Sequence, residues 1–260
     1  MMSHREIVNS VQWKDLVKLS TKEILIENNI TIPWLASSLV LAYMGLYWLA
    51  VPCSVFFFLT GLRQVHNGFH NSLGTNKHLT RLTLYLNSIL MMTSIHTVQF
   101  NHLRHHKYCL QDEDYEGKSA KMKWYQAIFY GPIHVFNIHW VTYTHGTTKD
   151  RRRVTIELLS ILVFVSVAFY FQLDFLIYHI AFMLLGEFLS GFFAVWTVHH
   201  DLEDHEIART QRTGWKNFTT YSMFYHLEHH LFPAVPTIKL KELSKRIDKK
   251  MPDLSKKQTF

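Results

Sequence analysis

The segment Tyr225-His226-Leu227-Glu228-His229-His230-Leu231-Phe232-Pro233 carries histidines at i, i+3 and i+4, the spacing that stacks side chains on one face of a helical turn. Three imidazoles converging on one point make a metal site. The same spacing occurs in His102-Leu103-Arg104-His105-His106, and His66-Asn67-Gly68-Phe69-His70 sets two histidines at i and i+4. With 18 histidines in 260 residues, chance would produce such a triplet roughly 0.09 times per chain. Two triplets and a pair therefore point to metal-dependent chemistry.

The elements that must position these groups are apolar. Hydrophobic residues make up 48% of the chain and charged residues 18%, and the apolar residues lie in long blocks, as in a multi-spanning membrane protein. Between Asn28 and Leu62 there is no Lys, Arg, Asp or Glu, and between Val154 and Ala208 no Lys or Arg. Each block is long enough for a hairpin of two spans. The predicted fold class is an all-α, multi-pass membrane protein: four transmembrane helices in two hairpins, a cytosolic helical cap carrying the histidine groups, and interfacial amphipathic helices. The spans are expected at about 32–50, 53–65, 154–171 and 175–198, with turns at Leu49–Cys53, broken by Pro52, and at Gln172–Asp174. Residues 1–31 form a cytosolic N-terminal segment, either a surface helix or a partly ordered tail. Residues 32–250 form one membrane domain, and 251–260 a tail.

This topology leaves all 27 basic residues on the cytosolic side, as the positive-inside rule requires. The net charge of +7 is thereby explained without nucleic acid, which needs its basic residues gathered on a soluble face. Cys53 and Cys109 fall on opposite sides of the membrane and cannot pair. No cleavable signal peptide is expected, because mixed, Lys-containing sequence precedes the first apolar block. Residues Leu79–Phe100 read as a helix buried beside the bundle or re-entrant, and Trp124–His145 as an aromatic interfacial segment. In the basic tail, Leu240, Leu243 and Ile247 share one face among lysines, as in an amphipathic surface helix or a solvated charged one.

Four histidine groups then emerge at one membrane face: His66 and His70; His102, His105 and His106; His199, with His200 as its rival; and His226, His229 and His230. One residue from the fourth-span group brings the total to nine, too many for one metal ion and suited to two. Imidazole accepts zinc, copper, iron or nickel, and a structural zinc would close at four ligands. Carboxylates that take the second N–H of a ligating ring are expected among Asp112, Asp114, Asp201, Glu203, Asp204 and Glu228.

The ordered set HNGFH, HLRHH and HLEHH, the last running into Leu231-Phe232-Pro233, with a further histidine after the fourth span, resembles the membrane fatty acid desaturase family and its lipid, alkane and carotenoid hydroxylase relatives. The resemblance covers Ile32 to about Arg246. It implies two iron ions, with His66, His70, His102, His105, His106, His226, His229 and His230 as ligands and His199 as the ninth. It also implies molecular oxygen as co-substrate, a membrane lipid or acyl substrate, and an external ferredoxin or cytochrome b5 type donor with its reductase. A separate donor is expected because the chain shows no further soluble region of cytochrome b5 size. The expected location is a bacterial inner membrane, otherwise the endoplasmic reticulum.

The remaining histidines receive plainer readings. His4, His78 and His205 read as surface or loop residues, and His96 and His179 as hydrogen-bonded core residues. His134, His139 and His145 read as interfacial or as lining a substrate or donor path. Phe192 and Trp196 read as span packing or as an acyl-channel lining. The expected activity is oxygen-dependent fatty acyl desaturation, with hydroxylation on the same scaffold as the alternative. Metal transport is disfavoured, because the spans carry few polar residues along a path.

Overall fold

The computed structural model describes residues 4–203, 206–255 and 257–259. Among them the fold is all-α, with one isolated bridge between Thr210 and Gln258. Helix α1 (His4–Ser10) and a 3-10 turn at Lys14–Leu16 lead into α2 (Thr21–Asn29), which starts on a Ser20/Glu23 capping box. Helix α3 (Ile32–Tyr43) follows at once, with Pro33 in its first turn, where a missing N–H costs nothing. Together α2 and α3 make one 23-residue apolar stretch, Thr21–Tyr43. At about 1.5 Å per residue that length crosses a bilayer core.

The first turn lies earlier than the sequence suggested. Gly45, at φ +74, reverses the chain between α3 and α4 (Tyr47–Phe69), a left-handed conformation that glycine adopts without strain. Pro52 sits inside α4 instead of ending it. The first two helices long and apolar enough to span are therefore Thr21–Tyr43 and Tyr47–Phe69, where 32–50 and 53–65 were expected. The second half of the N-terminal segment belongs to the first span, because Ser20 caps a helix that runs on into α3.

Helix α4 keeps its helical course through Asn67 and Gly68, neither a strong helix former, because tertiary contacts hold it. The Asn67 side-chain amide donates to Glu27 (2.8 Å) and its carbonyl accepts from the backbone and hydroxyl of Thr237 (3.1 and 2.8 Å). A Cβ at Gly68 would fall 2.8 Å from Leu84. Fully buried Glu27 also pairs with Arg63, whose guanidinium donates to the Tyr221 carbonyl (2.8 Å). This network ties the first span, the second span and the loops around the last histidine triplet into one unit.

Residues expected in one helix at Leu79–Phe100 form two. Helices α5 (Lys77–Leu90) and α6 (Ile95–Tyr108) are separated by a reversal at Met92 (φ 62), and Ser94 caps α6 by accepting from Thr97 N–H. The short α7 (Trp124–Phe129) and α8 (Gly131–His145) expose Trp124, Phe129, Phe136 and Trp140, as an interfacial segment should. Helix α9 (Thr148–Tyr170) starts on a Thr147/Asp150 capping box. After the turn at Gln172 (φ 51), α10 (Asp174–Ser190) continues through a π-helical stretch, Gly191–Trp196, into α11 (Thr197–His199). The last helices are α12 (Gly214–Thr219), α13 (His226–Leu231) and α14 (Leu240–Lys250).

Two apolar cores result. One lies among the spans around Phe57, Met91, Ile95 and Met183. The other joins Ile7, Val11 and Leu16 to Leu231, Phe232, Leu240, Leu243 and Ile247. The apolar face of α14, expected against lipid or on a solvated helix, is thus covered by the N-terminal segment and the elements around α13, while Lys241, Lys245, Lys249 and Lys250 stay exposed.

Glu27→Ala would leave the Arg63 charge buried without its carboxylate, which costs roughly 3–5 kcal/mol. The expected result is a lowered thermal unfolding midpoint in detergent, partly restored in the double variant Glu27→Ala/Arg63→Met.

Candidate metal centre

The ends of α4, α6 and α11, with α13, deliver nine imidazoles to one place. They form two groups, within each of which all ligand atoms lie inside 4.8 Å of one another: His66, His70, His102, His106 and His229 in one, and His105, His199, His226 and His230 in the other. Each triplet was expected to converge on one point; each divides between the groups. On a helix the i+4 ring lies about 40° around the axis from i, and the i+3 ring about 60° the other way. So the i, i+4 pairs His66/His70, His102/His106 and His226/His230 stay together, and the i+3 rings His105 and His229 cross to the other group.

His199, not His200, completes the set. His200 stacks flat on Trp196 (4.0 Å between ring centroids, 6° between planes) and its Nδ1 donates to the Trp196 carbonyl (2.8 Å). The π-helical stretch adds a residue to the turn just before His199, and such bulges set side-chain direction at functional sites.

Within the groups Nε2 faces Nε2. The separations are 3.0 Å for His105/His199, His199/His226 and His226/His230, 3.2 Å for His70/His102, 3.1 Å for His102/His106 and 2.7 Å for His106/His229. His105 Nδ1 donates to Asp114 (2.7 Å) and His199 Nδ1 to the Ile207 carbonyl (3.1 Å). Their neutral rings therefore present lone pairs to each other, a contact made attractive only by a cation between them. Buried His66 Nε2 has no hydrogen-bond partner at all. Ligands at right angles around an ion with bonds of about 2.1 Å lie about 3.0 Å apart, against about 3.4 Å in a tetrahedron. The donor set thus fits two metal ions of high coordination number, one with five imidazoles and one with four.

Burial prepares the rings for this. It holds His102, His226, His229 and His230 well below the ordinary imidazole range, reinforced by their neighbours, pulls His70 down to about 4, and lowers His106. His105 differs: burial lowers its pKa, but the hydrogen bond to Asp114 and the charges of Glu116 and Asp114 outweigh burial and raise it. Asp114 is held at about 2, since its bonds to His105 and to the backbone of Leu110 and Gly117 overcome burial. Burial pushes Glu116 up to about 7.

Of the carboxylates expected to orient the rings, Asp114 stands on His105. Asp112, Asp201 and Glu203 are exposed and stand on none of the nine, because the loops carrying them turn outward: Lys257 bonds the Asp201 carbonyl (2.9 Å) and stands 3.8 Å from the Glu203 carboxylate. Buried Glu228 pairs with Arg212 and accepts from Thr210 (2.7 Å), so it braces α13 from behind. Asp204 lies outside the described residues, as does His205. The carboxylate that sequence reasoning missed is Glu116, whose Oε1 accepts from His102 Nδ1 (3.2 Å). Its place at the end of the acidic run after the second triplet was the available signal.

The other histidines also find places. His179 Nε2 donates to the Leu90 carbonyl (2.8 Å), and His96 pairs with Glu157, which also accepts from Ser94 (2.6 Å). Both are hydrogen-bonded core residues, as expected. Phe192 stacks on Trp196, and Trp196 stacks on His200.

Two outcomes follow from this geometry. In the metal-free protein six of these imidazoles bind protons less readily than in the unfolded chain, whose ordinary value is about 6.5, and His105 alone opposes them. The unfolded chain therefore takes up more protons on acidification. The thermal midpoint of the metal-free protein should be highest above pH 6.5 and fall as the pH drops from about 6.5 towards 4, the window set by unfolded histidine and by His70. Second, Asp114→Asn should weaken metal affinity about 10- to 100-fold, measured by titrating Co(II) into the metal-free protein.

Among curated proteins none matches the chain. The sequence model of the fatty acid desaturase family matches residues 31–259, a range that takes in all nine imidazoles, the last three spans and the second part of the first. The chain belongs to the fatty acid desaturase family, a family of membrane oxidoreductases, and its two histidine groups are capable of holding metal ions.

Proposed function

We propose that the protein is an oxygen-dependent fatty acyl desaturase with two iron ions, His66, His70, His102, His106 and His229 holding one and His105, His199, His226 and His230 the other. The observation that carries this reading is the pair of imidazole groups placed side by side at the end of a membrane bundle, in a chain of the desaturase family. All-neutral ligands leave iron electrophilic and open to oxygen. When bound, the irons supply the oxidation of an unactivated methylene pair: two substrate hydrogens, two electrons and two protons reduce one oxygen molecule to two waters.

The chain's own residues do the rest. Asp114 and Glu116 fix the tautomers of His105 and His102 and so aim their Nε2 lone pairs. The spans hold an acyl chain dry and at a set depth, so that the position of oxidation follows from distance. Electrons arrive from a separate ferredoxin or cytochrome b5 type donor with its reductase. The exposed Lys241, Lys245, Lys249 and Lys250 of α14, which packs on α13, give the histidine end a positive field that attracts an acidic donor. The basic residues that flank the spans favour a cytosolic position for that end.

Purified protein is expected to hold two irons per chain. Cells expressing it with a compatible donor should gain unsaturated fatty acids detectable by mass spectrometry, and His229→Ala should abolish the new species. Oxygenated products would instead assign hydroxylation, and full activity in His229→Ala with its iron intact would refute the site.

A further inference from the structure

A cavity of about 50 Å³ lies on the membrane side of the two imidazole groups. Leu62, Val98 and Val195 in its wall stand one helical turn before His66, His102 and His199, and so share their faces. An acyl chain would be oxidised here, and an apolar wall throughout would suffice for a chain of methylenes. Yet Thr93, Glu116, His134 and Glu187 also line the cavity. The second carboxyl oxygen of Glu116 and Nδ1 of His134 are buried without a hydrogen-bond partner, and the Thr93 hydroxyl lies within hydrogen-bonding reach of Glu187.

The backbone is arranged to bring these groups in. Gly131 lets α8 abut α10 so closely that a Cβ there would fall 1.5 Å from the Phe188 carbonyl oxygen, and a Cβ at Gly191 would fall 3.2 Å from the ring of His134. Glu187 sits on a spanning helix, where an acid marks a functional site by default. Buried polar groups are otherwise nearly always paired.

We propose that this cavity selects a lipid chain that already bears a hydroxyl, held by Thr93, His134 and Glu187 beside the carbon to be oxidised. A hydroxyl both donates and accepts, so it can meet an imidazole nitrogen, a carboxyl and a threonine hydroxyl together. Water can meet the same atoms in the resting enzyme; a hydroxyl that displaces it reproduces its bonds, and a methylene does not. Sites built to bond a substrate hydroxyl strongly reject the analogue lacking it. The inference rests on the lipid-oxidising reading above and narrows its substrate.

The test is competition binding to the iron-loaded full chain in nanodiscs, with a spin-labelled stearic acid displaced either by stearic acid or by each positional isomer of monohydroxystearic acid. At least one isomer is expected to bind about tenfold or more tightly than stearic acid, and that preference should vanish in Thr93→Val and in Glu187→Leu. Thr93→Val is nearly isosteric and keeps the result interpretable if Glu187→Leu fails to fold. Equal binding of all isomers and stearic acid, or a preference unchanged in both variants, overturns the proposal. Iron content and product formation from unsubstituted chains, measured on the same preparations, report separately on the lipid-oxidising reading.

Discussion

Nine imidazoles gathered in two groups, eight of them nitrogen to nitrogen at separations near 3 Å, are the constraint on which this structure depends. Where both rings carry their proton on Nδ1, as His105 and His199 do, neutral rings turn lone pairs on each other, and doubly protonated rings would repel through their charge. Burial removes the water that would relieve either state. Cations at the two focal points would make these contacts attractive together. Much of the architecture can be understood as holding the rings in place for those cations.

The supports come from behind the rings and from distant parts of the chain. Asp114 and Glu116, on the loop after the second triplet, orient His105 and His102. Glu228 points away from the centre to Arg212, and Arg212 reaches Asp248 on the last helix (2.8 Å). Glu27 secures Arg63 and Asn67 below His66, and Asn67 in turn secures Thr237 beyond the last triplet. These buried polar ties are directional, so they specify one arrangement of helices where apolar packing alone would allow several. The Gly131 and Gly191 approaches serve the same purpose for His134.

The spans divide their duties by face. Val40, Trp48, Leu162 and Val163 point outward and are exposed, as side chains against lipid should be. The inner faces carry Phe57, Met91 and Met183 and the small cavity beneath the metal centre. Polar groups in that inner region are few and each occupies a defined place: His179 on the Leu90 carbonyl, Glu157 with His96 and Ser94, and Glu187 at the cavity.

What was legible in the sequence was local. The i, i+4 spacing of His66 and His70, the two triplets and the charge-free blocks are properties of neighbouring residues, and they sufficed for the clustering of the histidines, the all-α membrane fold and the second hairpin turn at Gln172. Tertiary structure decided everything that needed partners far along the chain. It moved the first turn from Pro52 to Gly45, because a proline near a helix start is tolerated when packing holds the helix. It chose His199 over His200 through the π-helical turn and the stacking of His200 on Trp196. It set Asp114 on His105 and Glu116 on His102, and it sorted the nine rings into five and four. Helical geometry alone could have separated the i+3 ring from each i, i+4 pair; which ring it would join depended on where three other helices ended.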